Sequence, residues 1–97
     1  MDSIKSFKPK NQGELNELLK KLLITDLDYN IIIDLTGLKD VNFLKEINKL
    51  SNLSKKNKKS LVVVNSDLSS DQVNVVPTLS EAFDMIELEE IERDLLS

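Results

Sequence analysis

Two short runs constrain this chain more than any other feature: Ile31–Ile33 inside NIIIDLT, and Leu61–Val64 inside SLVVVN. Both are β-branched or aliphatic without alternation, the pattern of a strand covered on both faces. Strands of that kind lie in the middle of a sheet and require other elements packed on either side of it. Between them a helix is expected from about Val41 to Lys56, where Phe43, Leu44, Ile47, Leu50 and Leu53 recur at helical spacing and should face inward. Asp40 or Asn42 is its candidate N-cap.

Weaker signals extend the pattern in both directions. Ser3–Phe7 reads as an edge strand ended by Pro9, with Ile4 and Ser6 on one side and Lys5 and Phe7 on the other. Asn11 to Ile24 forms a helix whose stripe is Leu15, Leu18, Leu19, Leu22 and Leu23, and Asn11 with Glu14 makes an approximate capping box. Val73–Val76 is a fourth strand, ended by Pro77, and Thr78 with Glu81 is a capping box that opens a helix running to about Asp94. The alternation predicts an α/β fold: a small mixed, or mostly parallel, sheet of about four strands flanked by about three helices. Ser66–Gln72 is short for a parallel crossover. Either Val73–Val76 pairs in another way or Ser69–Gln72 makes one helical turn, and the turn is the expected outcome. No repeat and no Pro/Gly-rich linker interrupts the 97 residues, so residues 1–97 are expected to form one domain.

Several chemistries are excluded by residues that are missing. The chain has no His and no Cys, which removes Cys/His zinc sites, Ser-His-Asp and Cys-His nucleophiles, thiol redox pairs and disulfides. Gly13 and Gly37 are its only glycines, too few and too far apart for a P-loop or a dinucleotide fingerprint. No catalytic residue, cofactor or metal is therefore expected. The aliphatic runs fall far short of the roughly 20 residues that a membrane span needs, and no apolar stretch follows MDSIKSFKPK. A cytoplasmic protein with no membrane contact is the expectation.

The net charge of −4 conceals an asymmetry. Lys39 to Ser60 carries seven Lys against Asp40 and Glu46, whereas Thr78 to Ser97 carries seven acids against Arg93. The basic run Lys55-Lys56-Asn57-Lys58-Lys59 falls at a helix C-terminus, where cations offset the dipole. Neither Arg nor an aromatic residue accompanies it, so nucleic-acid binding is not expected. In the last helix, Leu79, Ala82, Phe83 and Ile86 form one stripe, while Met85, Leu88, Ile91 and Leu95 gather on nearly the opposite side. Either the chain bends near Glu87 and folds the second stripe back, or residues 87–97 project as an acidic helical tail. A projecting tail would offer that stripe to a partner or to a second copy of the chain.

NIIIDLTGL followed by a helix, then KKSLVVVN, then VNVVPTLSEAFDMI, resembles a STAS domain, the fold of bacterial anti-sigma-factor antagonists. The likeness covers roughly residues 28–86, and Asp34-Leu35-Thr36-Gly37-Leu38 is the local motif that it shares. The ending VVPTLSEAFDMIELEEIERDLL is similar to that of small diverged STAS-like bacterial proteins often labelled ribonuclease Z. Ribonuclease Z holds zinc through a His-x-His-x-Asp-His motif that a chain without His cannot supply. The resemblance implies a STAS-like fold and a non-catalytic regulatory protein–protein interaction module. Its partner would be an anti-sigma-type kinase; the alternative is an accessory or fused role beside a ribonuclease Z-type RNA-processing enzyme. A small-ligand module is a third reading, without a glycine-rich or cationic cradle to support it. In antagonists a phosphorylatable serine sits in the turn after the central strand, but Leu38 to Phe43 contains no Ser or Thr. The partner surface implied by the family is Thr36, Gly37, Asp40, Asn42 and Phe43; periodicity adds Met85, Leu88, Ile91 and Leu95.

Overall fold

The computed structural model describes residues 3–39, 44–68, 70 and 73–96, the side chain of Leu44 excepted. Seven elements follow in order: β1 (Ile4–Phe7), α1 (Gln12–Leu23), β2 (Asn30–Asp34), α2 (Leu44–Lys56), β3 (Leu61–Val64), β4 (Asn74–Val76) and α3 (Leu79–Leu96). The strands lie in the order β1-β2-β3-β4. Every pair is parallel, in the registers Ile4↔Asn30, Ile31↔Leu61 and Val62↔Asn74. This corrects the expectation of a mixed sheet.

The parallel order decides where the helices go. Each strand is added on the same side of the previous one, so right-handed crossovers all pass over one face. α1 and α2 accordingly share one core with the front of the sheet. Leu15, Leu19 and Leu22 of α1 and Ile47 and Leu50 of α2 meet Ile31, Ile33, Leu61 and Val63 there. Residues 65–73, which join β3 to β4, send Leu68 and Val73 into that same core. β4 thus pairs parallel with β3 across a connection of nine residues; the helical turn expected at Ser69–Gln72 lies largely outside the described residues.

The back face receives no crossover, and α3 covers it. Ala82 and Ile86 meet Ile32, Val62, Val64 and Val76, and Ala82 is small enough to let the helix backbone approach the strands. β2 is buried along its whole length between the two layers, as the unalternating run requires. Burial of such side chains contributes roughly 1.5–3 kcal/mol each.

The helix ends follow local chemistry. Asn11 caps α1, its Oδ1 accepting from the Glu14 N–H at 2.9 Å. The Glu14 carboxylate reaches back one residue further than a capping box requires, accepting from the Lys10 N–H at 2.9 Å. Thr78 Oγ1 accepts from the Glu81 N–H at 3.2 Å at the start of α3. α2 ends in a left-handed turn at Lys58 (φ 60°), where the Lys59 N–H donates to Ser54 O at 2.8 Å and the Lys58 N–H to Lys55 O at 3.0 Å. Leu53 departs from the inward role expected of it and stands 36% exposed on α2. Among the described residues no helix is long and apolar enough to cross a membrane.

Candidate functional site

The carboxyl ends of parallel strands are the usual place for a site in an α/β sheet. Here they are occupied by a hydrogen-bonded latch. Asp34 ends β2, and its Oδ1 accepts from the Thr36 N–H at 2.9 Å and from the Thr36 hydroxyl. Gly37, at φ 84°, follows Thr36 in a turn closed by Leu38 N–H to Leu35 O at 3.1 Å. That conformation explains a glycine at this position without reference to a ligand. Asn65, directly after β3, ties the turn down: its Nδ2 donates to Leu35 O at 2.9 Å and to Leu38 O at 3.2 Å. Its Oδ1 accepts from the Asp67 N–H at 2.7 Å and the Leu68 N–H at 3.2 Å. Thr36 and Gly37 are exposed at this end, while Asp40, Asn42 and Phe43 lie outside the described residues.

The opposite end of the sheet carries a polar cluster that periodicity did not reveal. Asn30, fully buried at the start of β2, accepts at Oδ1 from the Ser60 N–H at 2.8 Å. Its Nδ2 donates to Glu90 Oε1 at 2.7 Å. Arg93 Nη1 donates to Ser60 Oγ at 2.9 Å, and Asn74 Nδ2 donates to Glu89 Oε2 at 2.6 Å. Three strand starts are therefore bonded to the second half of α3. Beside this cluster, a polar cavity of about 170 Å³ lies between α2 and α3, lined in part by Ser51, Lys55, Lys59, Ser60, Asn74 and Glu89. Among the described residues, no group of three or more Asp or Glu side chains converges as a cation site would require.

α3 is one uninterrupted helix. Its inward line begins apolar at Ala82 and Ile86 and continues polar at Glu89, Glu90 and Arg93. Met85 is half-buried against the back core, apart from the stripe with which its spacing grouped it. Leu88, Ile91 and Leu95 face away from the sheet, 56%, 49% and 80% exposed. At about 100° per residue, Glu87 and Glu92 flank that stripe on its two sides and Asp84 heads it. The lone cation of α3, Arg93, is turned inward to Ser60. The two surfaces expected from the sequence are thus held apart: Thr36 and Gly37 lie at the carboxyl ends of the strands, and Leu88 to Leu95 toward their amino ends. Comparison with protein-family models, curated proteins and solved structures gives no match.

Proposed function

We propose that this chain is a non-catalytic protein-interaction module that docks through the outer face of α3, in the manner of a STAS-like antagonist that lacks the phosphorylatable serine. One observation carries the reading. The inward face of α3 is completed by the back core and the strand-start hydrogen bonds, yet Leu88, Ile91 and Leu95 remain exposed in a row between carboxylates. Contiguous exposed apolar side chains rimmed by charge mark an association surface, and an acidic rim suits a basic partner. The latch at the other end of the sheet favours a fixed module over a phosphoswitch, because the Thr36 hydroxyl is committed to Asp34.

The test is affinity capture from the native cell with the wild-type chain and with the double variant Leu88→Gln, Ile91→Gln. A protein retained by the first and lost by the second, at unchanged melting temperature, is the expected result. Identical captures from both would reject the reading.

A further inference from the structure

A second candidate surface, partly apolar, lies on the opposite layer of the molecule. The C-terminal ends of α1 and α2 enclose a hollow of about 220 Å³ whose lining includes Leu23, Ile24, Leu27 and Leu53, with Thr25, Asp26 and Asn57. Ile24 is 88% exposed beside it. The two helix ends that bound this hollow carry cations. Lys20 and Lys21 occupy the last turn of α1, and Lys55 and Lys56 the last turn of α2. Helical spacing puts Lys20 beside Leu23 and Ile24, and Lys49 and Lys56 beside Leu53. The left-handed turn at Lys58 adds a further cation next to Asn57. Asp26 is the one charged side chain among the described residues of the lining itself.

The hollow and the α3 stripe are opposites in shape and charge. One is concave, lined by Leu23, Ile24, Leu27 and Leu53 together with polar groups, and bounded by helix ends that carry lysines; the other is convex, apolar and rimmed by Asp84, Glu87 and Glu92. We propose that the occupant of the α3 stripe is a second copy of this chain, with Leu88, Ile91 and Leu95 of one copy seated on the Leu23–Ile24–Leu53 hollow of the next. This rests on the reading of the outer face of α3 as a docking surface, and it names the partner. The contact is heterologous, because two different patches meet. An isologous pairing of α3 with α3 is disfavoured, since it would set the same carboxylates against each other with no outward cation to offset them.

The heterologous geometry has a signature in mixtures. Ile24→Glu puts a carboxylate into the hollow, where it meets the acidic stripe, but leaves α3 intact. The double variant Leu88→Gln, Ile91→Gln removes the apolar stripe and leaves the hollow intact. Both changes fall on exposed positions, so each chain keeps its fold, and melting curves confirm this before use. Sedimentation velocity and light scattering of the purified full chain at low salt, up to about 1 mM, give the result. Wild type associates as concentration rises, each variant alone is monomeric, and an equimolar mixture of the two forms a pair of one copy of each. Wild type that stays monomeric throughout overturns self-docking, while the capture comparison above separately decides whether α3 docks another protein. Association that persists in the Leu88→Gln, Ile91→Gln chain, or a mixture that stays monomeric, also overturns it.

Discussion

Asn30 has no exposed surface, and an amide so placed is tolerated only because its polar atoms are engaged: Ser60 N–H on the oxygen, Glu90 on the nitrogen. Asn30→Ala removes both contacts and is expected to cost about 2–3 kcal/mol in urea unfolding, with the Ser60 amide left without that acceptor. Asn30→Asp is a sharper probe, because it sets a second carboxylate against Glu90. Two carboxylates in contact raise one folded-state pKa above its unfolded value, so the folded form binds the extra proton more tightly. The variant should approach wild-type stability below about pH 4 and lose it as pH rises toward 7; equal deficits at both pH values would reject the contact. Lys58 makes the opposite case, a residue whose conformation opposes its side chain. At φ 60° it occupies a position that glycine fills without strain, and Lys58→Gly should raise stability by roughly 0.5–1 kcal/mol in the same assay. The sequence showed Asn30 as the start of a strand but not its partner, because Glu90 is 60 positions away and only the tertiary fold brings it near.

At the scale of the element, α3 explains why helical periodicity gave two stripes that could not both be buried. Its 18 residues span about 27 Å, while the longest strand, with five, spans about 17 Å. Ala82 and Ile86 lie over apolar sheet. Beyond them the helix reaches the strand starts, and its inward line changes to Glu89, Glu90 and Arg93 because the groups it meets there are Asn74, Asn30 and Ser60. Hydrophobic spacing alone cannot register an inward face that becomes polar halfway along. The segment therefore neither folds back at Glu87 nor stands wholly free: residues 89, 90 and 93 hold it to the strand starts, and Leu95 and Leu96 beyond them are 80% and 88% exposed. Ile86→Ala is expected to cost about 2–5 kcal/mol by opening a cavity in the back core, whereas Leu88→Gln and Ile91→Gln should each stay within about 0.5 kcal/mol. Truncation after Glu87 should resemble the core variant in its cost, since it removes every α3 side chain bonded to a strand start. A truncated chain as stable as wild type would contradict the strand-start bonds.

At the scale of the molecule, the two unalternating runs, Ile31–Ile33 and Leu61–Val64, carried the central strands, the helices between and around them and the two-layer burial legibly in the sequence. Strand direction was less legible. The connection before β4 looked short for a parallel crossover, yet β4 pairs parallel with β3, and Leu68 and Val73 of that connection pack on the front face. The candidate surfaces were legible to different degrees: the outer α3 stripe came through as spacing, but the hollow between the α1 and α2 ends did not, because Leu23 and Leu53 belong to stripes that look wholly inward. The asymmetry of charge now has a location, with cations at the α1 and α2 ends of one layer and acids on the outer face of the other. If association joins these two regions, its electrostatic share must fall as salt rises, because the screening length shortens from about 10 Å at 0.1 M to about 3 Å at 1 M. The apolar share, from Leu88, Ile91 and Leu95, does not weaken in the same way. Sedimentation equilibrium from about 0.05 to 0.5 M NaCl should therefore show the association constant falling by roughly tenfold and then levelling. Strengthening with salt across the whole range would mean that apolar burial alone holds the contact and that the lysines play no part in it.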